Sequence, residues 1–466
     1  VALSDADAAK VVSRLIALRA SEAQRLDKIH DYLRDDPDKR LIGGLPTSAP
    51  PDVVRLARLS RVNLLKYVVN ARVQNMYIDG FRTPESPDDM QVWGSWQSNK
   101  MDARQIGINR SALSFGASYA TALPGKSGGS EMPRYTGFSP RSLTVAFDAD
   151  VTGSDEWPVY ALQHVAAGVF RMIDETSVYR VTTGKDAADG GITIVGHDDH
   201  GMTWEGEPVC PVVRFRDTDD LDDPCVGIVE PFLSMQDQVN ITTFGLQVAQ
   251  HYGAFRQRYV IGWLAESEEQ ALKASASRLM NFEDAPGEIQ VGEFQQTELR
   301  GYIESREATI RHLATVSQTP VHELLGQFVN LSAEALEAAR ASHAAGVDEN
   351  RIVAGEAYEQ LLNLGAEFMG AEVDPSASVI WRDTRVRSLK DAAEALGALV
   401  EKLGVPPKEL WHLIPGIPQH EVERWTVAAS QADSMGQLMG LLDRQAAPSA
   451  PPAAAPPAPA PVPIAA

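Results

Sequence analysis

Cysteine is nearly absent from this 466-residue chain, which carries only Cys210 and Cys225. So sparse a pair fits a reducing compartment, and both are expected as thiols. Long apolar runs are missing too: 44% of the residues are hydrophobic, but no stretch approaches the roughly 18 apolar residues of a membrane-spanning helix. The start, VALSDADAAKVV, puts Asp5 and Asp7 where a secretory leader would carry positive charge, so secretion is not expected. Positive charge is short throughout, with 42 Lys and Arg against 63 Asp and Glu, a net charge of −21. That balance excludes an adhesive nucleic-acid binder with a basic surface and favours solubility. Lysine is the scarcer cation, 11 against 31 arginines, which with abundant Ala and Pro points loosely to a high-GC genome. The length exceeds one ordinary core, so two or more modules are expected.

The local motifs of catalysis and ligand binding also fail. Gly125-Lys126-Ser127 ends like a phosphate-binding loop, but the first glycine of GxxxxGKS would be residue 120, which is Ala120. A flexible loop is the better reading. His322-Glu323-Leu324-Leu325 opens like HExxH, yet Gly326 stands where the second imidazole must be. His197-Asp198-Asp199-His200, with Cys210 in reserve, is flanked by Gly196 and Gly201 and reads as a hairpin turn. An EF-hand beginning at Asp217 would need glycine at position 222 and glutamate at 228, where Asp222 and Ile228 stand. Asp217–Asp223 therefore reads as a solvated acidic linker. No Ser/His/Asp or Cys/His set has a recognisable local motif. The expectation is no enzyme, no cofactor and no metal site.

What is present is helical periodicity, with one block of strands. Ser4 can cap an amphipathic helix over 4–35, with Val11, Val12, Leu15, Leu18, Leu26, Ile29 and Leu33 on one face. A helix is expected over about 53–75 and another over 100–122, ending near Gly125–Ser130. From Ser142 to Arg216 short alternating runs (LTVAF, VYALQHV, VFRMI, VYRVTT, ITIVG, PVVRF) read as antiparallel strands. A helix over about 226–259, interrupted by Thr242, Thr243 and Gly245, would reach about 45 Å. A small lobe with a helix over 267–280 and a strand over 288–291 follows. The next helix lies near 301–317, where Leu299, Ile303, Ile310, Leu313 and Val316 are mostly three or four apart, as on one face. Pro320 should end that helix. After Ser332 an Ala/Glu-rich helix runs to about Phe368, followed by helices over 389–403 and 408–442, with Pro415 and Pro418 interrupting the second. The tail, 446–466, is almost all Ala and Pro and can form no core. Two helices joined by a short loop that carries Phe328 and Val329 in place of turn residues suggest a loop with a function.

The stretch TPVHELLGQFVNLSAEAL (Thr319–Leu336) resembles the tunnel loop and long wing helix of tailed-bacteriophage portal proteins of the long-tailed type. RVNLLKYVVNARVQNMYIDGF (Arg61–Phe81) is similar to that family's N-x-x-K-x-V-V helix with its Gly-aromatic step. WQSNKMD (Trp96–Asp102), ALSFGASYA (Ala112–Ala120) and WRDTRVRSLKDAAEAL (Trp381–Leu396) resemble its further motifs, in the same order. The resemblance covers roughly residues 10–440. It implies a mixed α+β, mainly helical subunit with wing, stem, clip and crown regions. These would be 1–225 wing, 226–262 first stem helix, 263–300 clip, 301–318 second stem helix, 319–332 tunnel loop, 333–387 long wing helix and strand, 388–445 crown, and 446–466 tail.

The resemblance further implies a ring of twelve copies at one capsid vertex, built in the host cytoplasm and ending in the virion. Double-stranded DNA would be packaged and ejected through it. Its partners would be the major capsid protein, the terminase large subunit and the head-tail connector, with no membrane contact. Gln327, Phe328, Val329 and Asn330 would face the channel. From pattern alone, Phe328 buried in its own subunit is an equal reading of that loop. The net negative charge suits a wall that lets DNA slide, since cations would hold phosphate in place. Another capsid or connector protein, or a soluble enzyme with scattered catalytic residues, are the alternatives.

Overall fold

The computed structural model describes residues 2–34, 45, 48–82, 90–147, 157–184, 191–219, 226–253, 258–261, 290–293, 298–326, 333–371, 373–382, 389–414, 417, 421–422 and 424–429. The chain divides into two compact units, Val1–Arg382 and Asp383–Ala466. Both helices and antiparallel strands are present, with helix predominating.

Helix α1, Asp5–Leu33, starts where expected, with Ser4 Oγ accepting the Asp7 N–H at 3.3 Å. Its first half packs Ala8, Val12 and Leu15 on Leu162, Met172, Tyr179 and Val181, while Leu26, Ile29 and Tyr32 enter a second core. Leu18, between these zones, is exposed and so leaves the expected buried face. The single helix expected over 53–75 is two, α2 (Pro51–Leu59) and α3 (Leu64–Val73). Asn63 divides them by capping the Lys66 N–H at 3.0 Å. Strand β1 (Ile78–Arg82) and helices α4 (Met90–Ser98) and α5 (Met101–Phe115) follow.

The helix expected to reach residue 122 stops at Gly116, whose φ of 93° is left-handed. The chain continues as β2 (Ala117–Ser127) and β3 (Ser130–Phe138), a hairpin turned at Gly128 and Gly129 (φ 59° and 91°). The GKS triplet is therefore hairpin, with Lys126 opposite Glu131.

Strands β4 (Leu143–Ala146), β5 (Tyr160–Ala166), β6 (Val169–Ile173), β7 (Ser177–Thr183) and β8 (Ile192–Asp199) form an antiparallel meander in chain order. After the small ladder of β9 (Thr203–Trp204) and β10 (Glu207–Pro208), β11 (Val212–Arg216) joins β2 and β3 instead. The expected strand block is thus divided between two sheets. His197–Asp199 belong to β8, and the turn lies at Gly201 (φ 60°).

A short 3-10 turn (Glu230–Phe232) leads into α6 (Leu233–Gly253), about 32 Å long. It is shorter than expected because Arg258–Ile261 extend as β12 and pair with β13 (Gln290–Glu293). The helix expected over 267–280 lies outside the described residues. Then come α7 (Arg300–Val316), α8 (Val321–Leu325), the 36-residue α9 (Ala333–Phe368) and β14 (Ser378–Trp381), which pairs with β1. In the second unit, α10 (Leu389–Leu403) precedes a 3-10 segment (Pro407–Leu413), and residues 421–422 and 424–429 are helical. The residues of the Ala/Pro tail lie outside the description.

The main core lies where α9 crosses α4, α5 and the β11–β2–β3 sheet. Tyr358 of α9 is its centre, edge-on to Trp96, Phe215 and Trp381, with its hydroxyl 2.9 Å from Asn109 Oδ1. Burial of each such aromatic contributes several kcal/mol, and the buried hydroxyl is satisfied by its amide partner. The second half of α9 is thereby fixed to the subunit body.

Candidate channel site

The expected channel residues, Gln327, Phe328, Val329 and Asn330, lie outside the described residues. The frame that carries them is described on both sides, from α7 to Gly326 and again from α9.

Helices α6 and α7 lie side by side. The weak helix formers in α6 have packing roles: Arg306 Nε donates to Thr243 Oγ1 at 3.1 Å, and a Cβ at Gly245 would meet the Tyr302 ring at 3.2 Å. The α6 amides brace the α2–α3 elbow. Gln236 Oε1 accepts the Leu64 and Leu65 N–H groups at 2.9 and 3.3 Å, and Asn240 Oδ1 accepts that of Val62 at 3.0 Å. The Leu64 and Leu65 N–H groups are donors that a helix N-terminus leaves without intrahelical partners. On α7 only part of the expected apolar face is used. Ile310 and Leu313 are buried, whereas Ile303 and Val316 are exposed.

Helix α7 ends before Pro320, as the ring of proline requires. Gln318 turns the corner at φ 54°, Pro320 opens α8, and Gly326 closes it in a left-handed conformation (φ 65°) that suits glycine. The 319–332 segment therefore contains a short helix before residue 327. Glu323 on α8 accepts Tyr67 Oη at 3.0 Å and Arg340 Nη2 at 2.9 Å, which ties α8 to α3 and α9. Desolvation first, then Glu323, pushes the Tyr67 hydroxyl up to about 12. A cavity of about 540 Å³ opens here, bordered by Arg311, Thr315, Gln318, His322 and Ser342.

Behind the corner lies a buried polar chain. Arg72 donates to Asn350 Oδ1 (3.0 Å), the Ser317 carbonyl (3.3 Å) and Gln318 Oε1 (3.4 Å), and Asn350 donates to Asp217. Asp217, expected as part of a solvated linker, is 2% exposed. Burial pushes its carboxyl up to about 7, against the pull of Arg72 and Asn350. These contacts span up to 278 positions, so no local pattern exposes them. The available signals were an aspartate ending an apolar strand and an arginine amid the apolar residues of α3.

Among the described residues, His200 and Cys210, weighed from sequence as metal ligands, have other surroundings. His200 is buried, its Nε2 at 3.0 Å from the Asp174 carbonyl and its Nδ1 accepting the Met202 N–H at 3.1 Å, so both ring nitrogens are engaged. The Cys210 thiol is fully buried, and burial drives its pKa well up, away from the reactive thiolate. Among the described residues no group of three or more His, Cys, Asp and Glu is arranged to hold a metal ion. Among them, too, no helix is long and apolar enough to cross a membrane.

At the corner, Glu323 and Arg72 brace α8 and residues 317–318 against α3 and α9. The sequence profile of the family described as "Phage portal protein, SPP1 Gp6-like" matches residues 13–435. No curated protein is significantly similar to this chain. Among solved structures it is similar to a chain of the virion of a native gene transfer agent particle, at 16% identity, with 80% of this chain and 96% of that chain covered and a TM-score of 0.47. It is similar also to a chain from the neck of that native particle, computed with C12 symmetry, at 17% identity, 78% and 92% coverage and a TM-score of 0.46. A chain from the neck of the empty particle, computed with C6 symmetry, gives 15% identity, 78% and 92% coverage and a TM-score of 0.43. With its profile spanning nearly the whole sequence, the chain belongs to the phage portal protein family, SPP1 Gp6-like, and is a structural component of the virion.

Proposed function

We propose that this chain works as one subunit of a ring, twelve copies by the family's implication, through which double-stranded DNA is packaged and ejected. The observation carrying this reading is the family match over residues 13–435. Helices α8 and α9, joined by the Glu323–Arg340 pair, flank residues 327–330 in the chain, as an axial loop needs. In this reading α6 and α7 are the stem helices, β12 and β13 belong to the clip, and α10 belongs to the crown. The α1 helix with its meander, together with α9, forms the wing.

Residues 327–330 are assigned to the channel wall. Neutral amide and apolar tips touch passing DNA sterically and by transient hydrogen bonds, with little phosphate attraction to stall it. The net charge of −21 acts in the same sense. The work is mechanical, and nucleotide hydrolysis belongs to the terminase large subunit that docks on the ring. The major capsid protein and the head-tail connector are the other partners.

Two variants test the loop assignment. Gln327→Arg adds one cation per subunit around the DNA, and each can pair with phosphate in a salt-sensitive way. Rings of this variant should assemble normally and package or retain DNA abnormally, most clearly at low salt. Phe328→Ala should barely change stability, whereas a core phenylalanine would cost about 3–5 kcal/mol. Normal packaging by Gln327→Arg, or severe unfolding of Phe328→Ala, would remove the loop from the channel wall.

A further inference from the structure

Where β11 ends, Asp217 turns inward, and its backbone N–H donates to the Gly116 carbonyl at 3.1 Å. Asn350 of α9 stands between it and Arg72 of α3. Asn350 Nδ2 donates to the Asp217 carbonyl at 2.8 Å and to its Oδ1 at 3.1 Å, while Asn350 Oδ1 accepts Arg72 Nη1 at 3.0 Å. The other guanidinium nitrogen, Nη2, holds the corner after α7, at the Ser317 carbonyl (3.3 Å) and Gln318 Oε1 (3.4 Å). Gln318 sits at φ 54°, a conformation that costs a side-chain-bearing residue energy and persists only where its surroundings hold it. Those surroundings are close. A Cβ at Gly346 would lie 2.7 Å from Gln318 Oε1, and His343 Nδ1 is 3.2 Å from the Gln318 carbonyl. One buried cation thus ties a strained corner, on one side, to a buried carboxyl on the other.

We infer that the Arg72–Asn350–Asp217 chain is a proton-linked latch on the corner at residues 317–319, closed while Asp217 is neutral and opened more often once Asp217 ionises. The latch stands on described residues alone and does not depend on the portal reading. The direction follows from desolvation. An ionised carboxylate in this interior is disfavoured, and opening the corner to water relieves it. The groups facing Asp217 are Arg72 from α3, Asn350 and Glu349 from α9, and the Ile228 N–H, of which only Glu349 raises its pKa. His343, also on α9, is held towards its neutral form chiefly by burial, with Arg72 adding to the effect.

An opening that wets Asp217 returns it from about 7 towards its ordinary value of 3.8. The opening equilibrium therefore rises about tenfold per pH unit between these values and levels off above the upper one. Amide hydrogen exchange of the full chain from pH 5 to 9, corrected for the intrinsic rate at each pH, reads this directly. Peptides covering residues 313–326 should show opening that climbs about tenfold per unit up to about pH 7 and is flat beyond. Peptides of β5–β7 should be flat throughout. In Asp217→Asn, which mimics the neutral form, the corner should also be flat; Asp217→Ser serves if that variant does not fold. A flat wild-type corner, or a slope surviving in the variant, would overturn the latch. A chain that shows the profile but never forms rings would sink the portal reading and leave the latch standing.

Discussion

Gly365→Ala sets helix propensity against packing in the long helix α9. Propensity alone predicts stabilisation by about 1 kcal/mol, since glycine is the poorer helix former. The packing predicts the reverse. A Cβ at Gly365 would fall on the Tyr135 hydroxyl, 2.9 Å from its Cζ and 3.0 Å from Pro133 Cγ. Tyr135 is fully buried on β3, and its hydroxyl lies 3.0 Å from Ser95 Oγ on α4. Its backbone is held as well, with its N–H donating to Asn99 Oδ1 at 3.0 Å and Arg104 donating to its carbonyl. Moving the ring away would give up its hydroxyl contact with Ser95 or disturb neighbours in the buried core. Overpacking costs about 1–3 kcal/mol and a lost buried hydrogen bond about 1 more. After the propensity gain, a net loss of about 1–3 kcal/mol remains. Urea unfolding at fixed protein concentration, followed by tryptophan fluorescence, measures it, because Trp96 and Trp381 belong to this core. The double variant with Tyr135→Phe should recover part of the loss. An unchanged or raised midpoint for Gly365→Ala would refute the close approach of β3 to α9.

Asp217 gives a pH dependence of global stability. Its pKa is raised from 3.8 in the open chain to about 7 in the folded one, so its contribution is full below pH 4 and lost as pH rises to about 7. The upper bound on that loss is about 4 kcal/mol, and denaturant titrations at pH 5 and 7.5 should show it shrink in Asp217→Asn. Asn350→Leu removes the bridge between the buried Arg72 guanidinium and the buried Asp217 carboxyl and should cost about 2–4 kcal/mol by the same titration. Ring formation should survive both chelator and reductant, because no metal motif is complete and the Cys210 thiol is buried; sedimentation of treated samples checks this. Deleting residues 448–466 should likewise leave rings intact, since an Ala/Pro segment has little apolar side-chain surface to bury.

Helices whose starts and stops are set by local chemistry were legible in the sequence. Ser4, Pro320 and the Ala/Glu run after Ser332 placed α1, the end of α7 and the start of α9. The meander strands were equally plain, because alternation and Gly/Asp turns are local signals. The failures share a physical origin in contacts between distant residues. The region 53–75 splits because α6 amides satisfy the exposed donors of a new helix start at Asn63. Residues 117–122 become strand because Gly116 turns left-handed and β11 lies ready to pair with them. PVVRF joins β2, not the meander, a choice that alternation cannot encode. At the candidate site, the helix end before Pro320 was readable, while α8 and the roles of Arg72, Asn350 and Asp217 were not. Their chemistry arises only when α3, β11 and α9 meet.

The most direct test of the central claim is electron microscopy of the purified full chain, taken to a resolution that traces the backbone around residues 327–330. The expected result is a closed ring with a central channel, those residues lining its narrowest part and the α6–α7 pair running beside it. A monomer, an open filament, or a ring in which residues 327–330 are buried inside each subunit would contradict it.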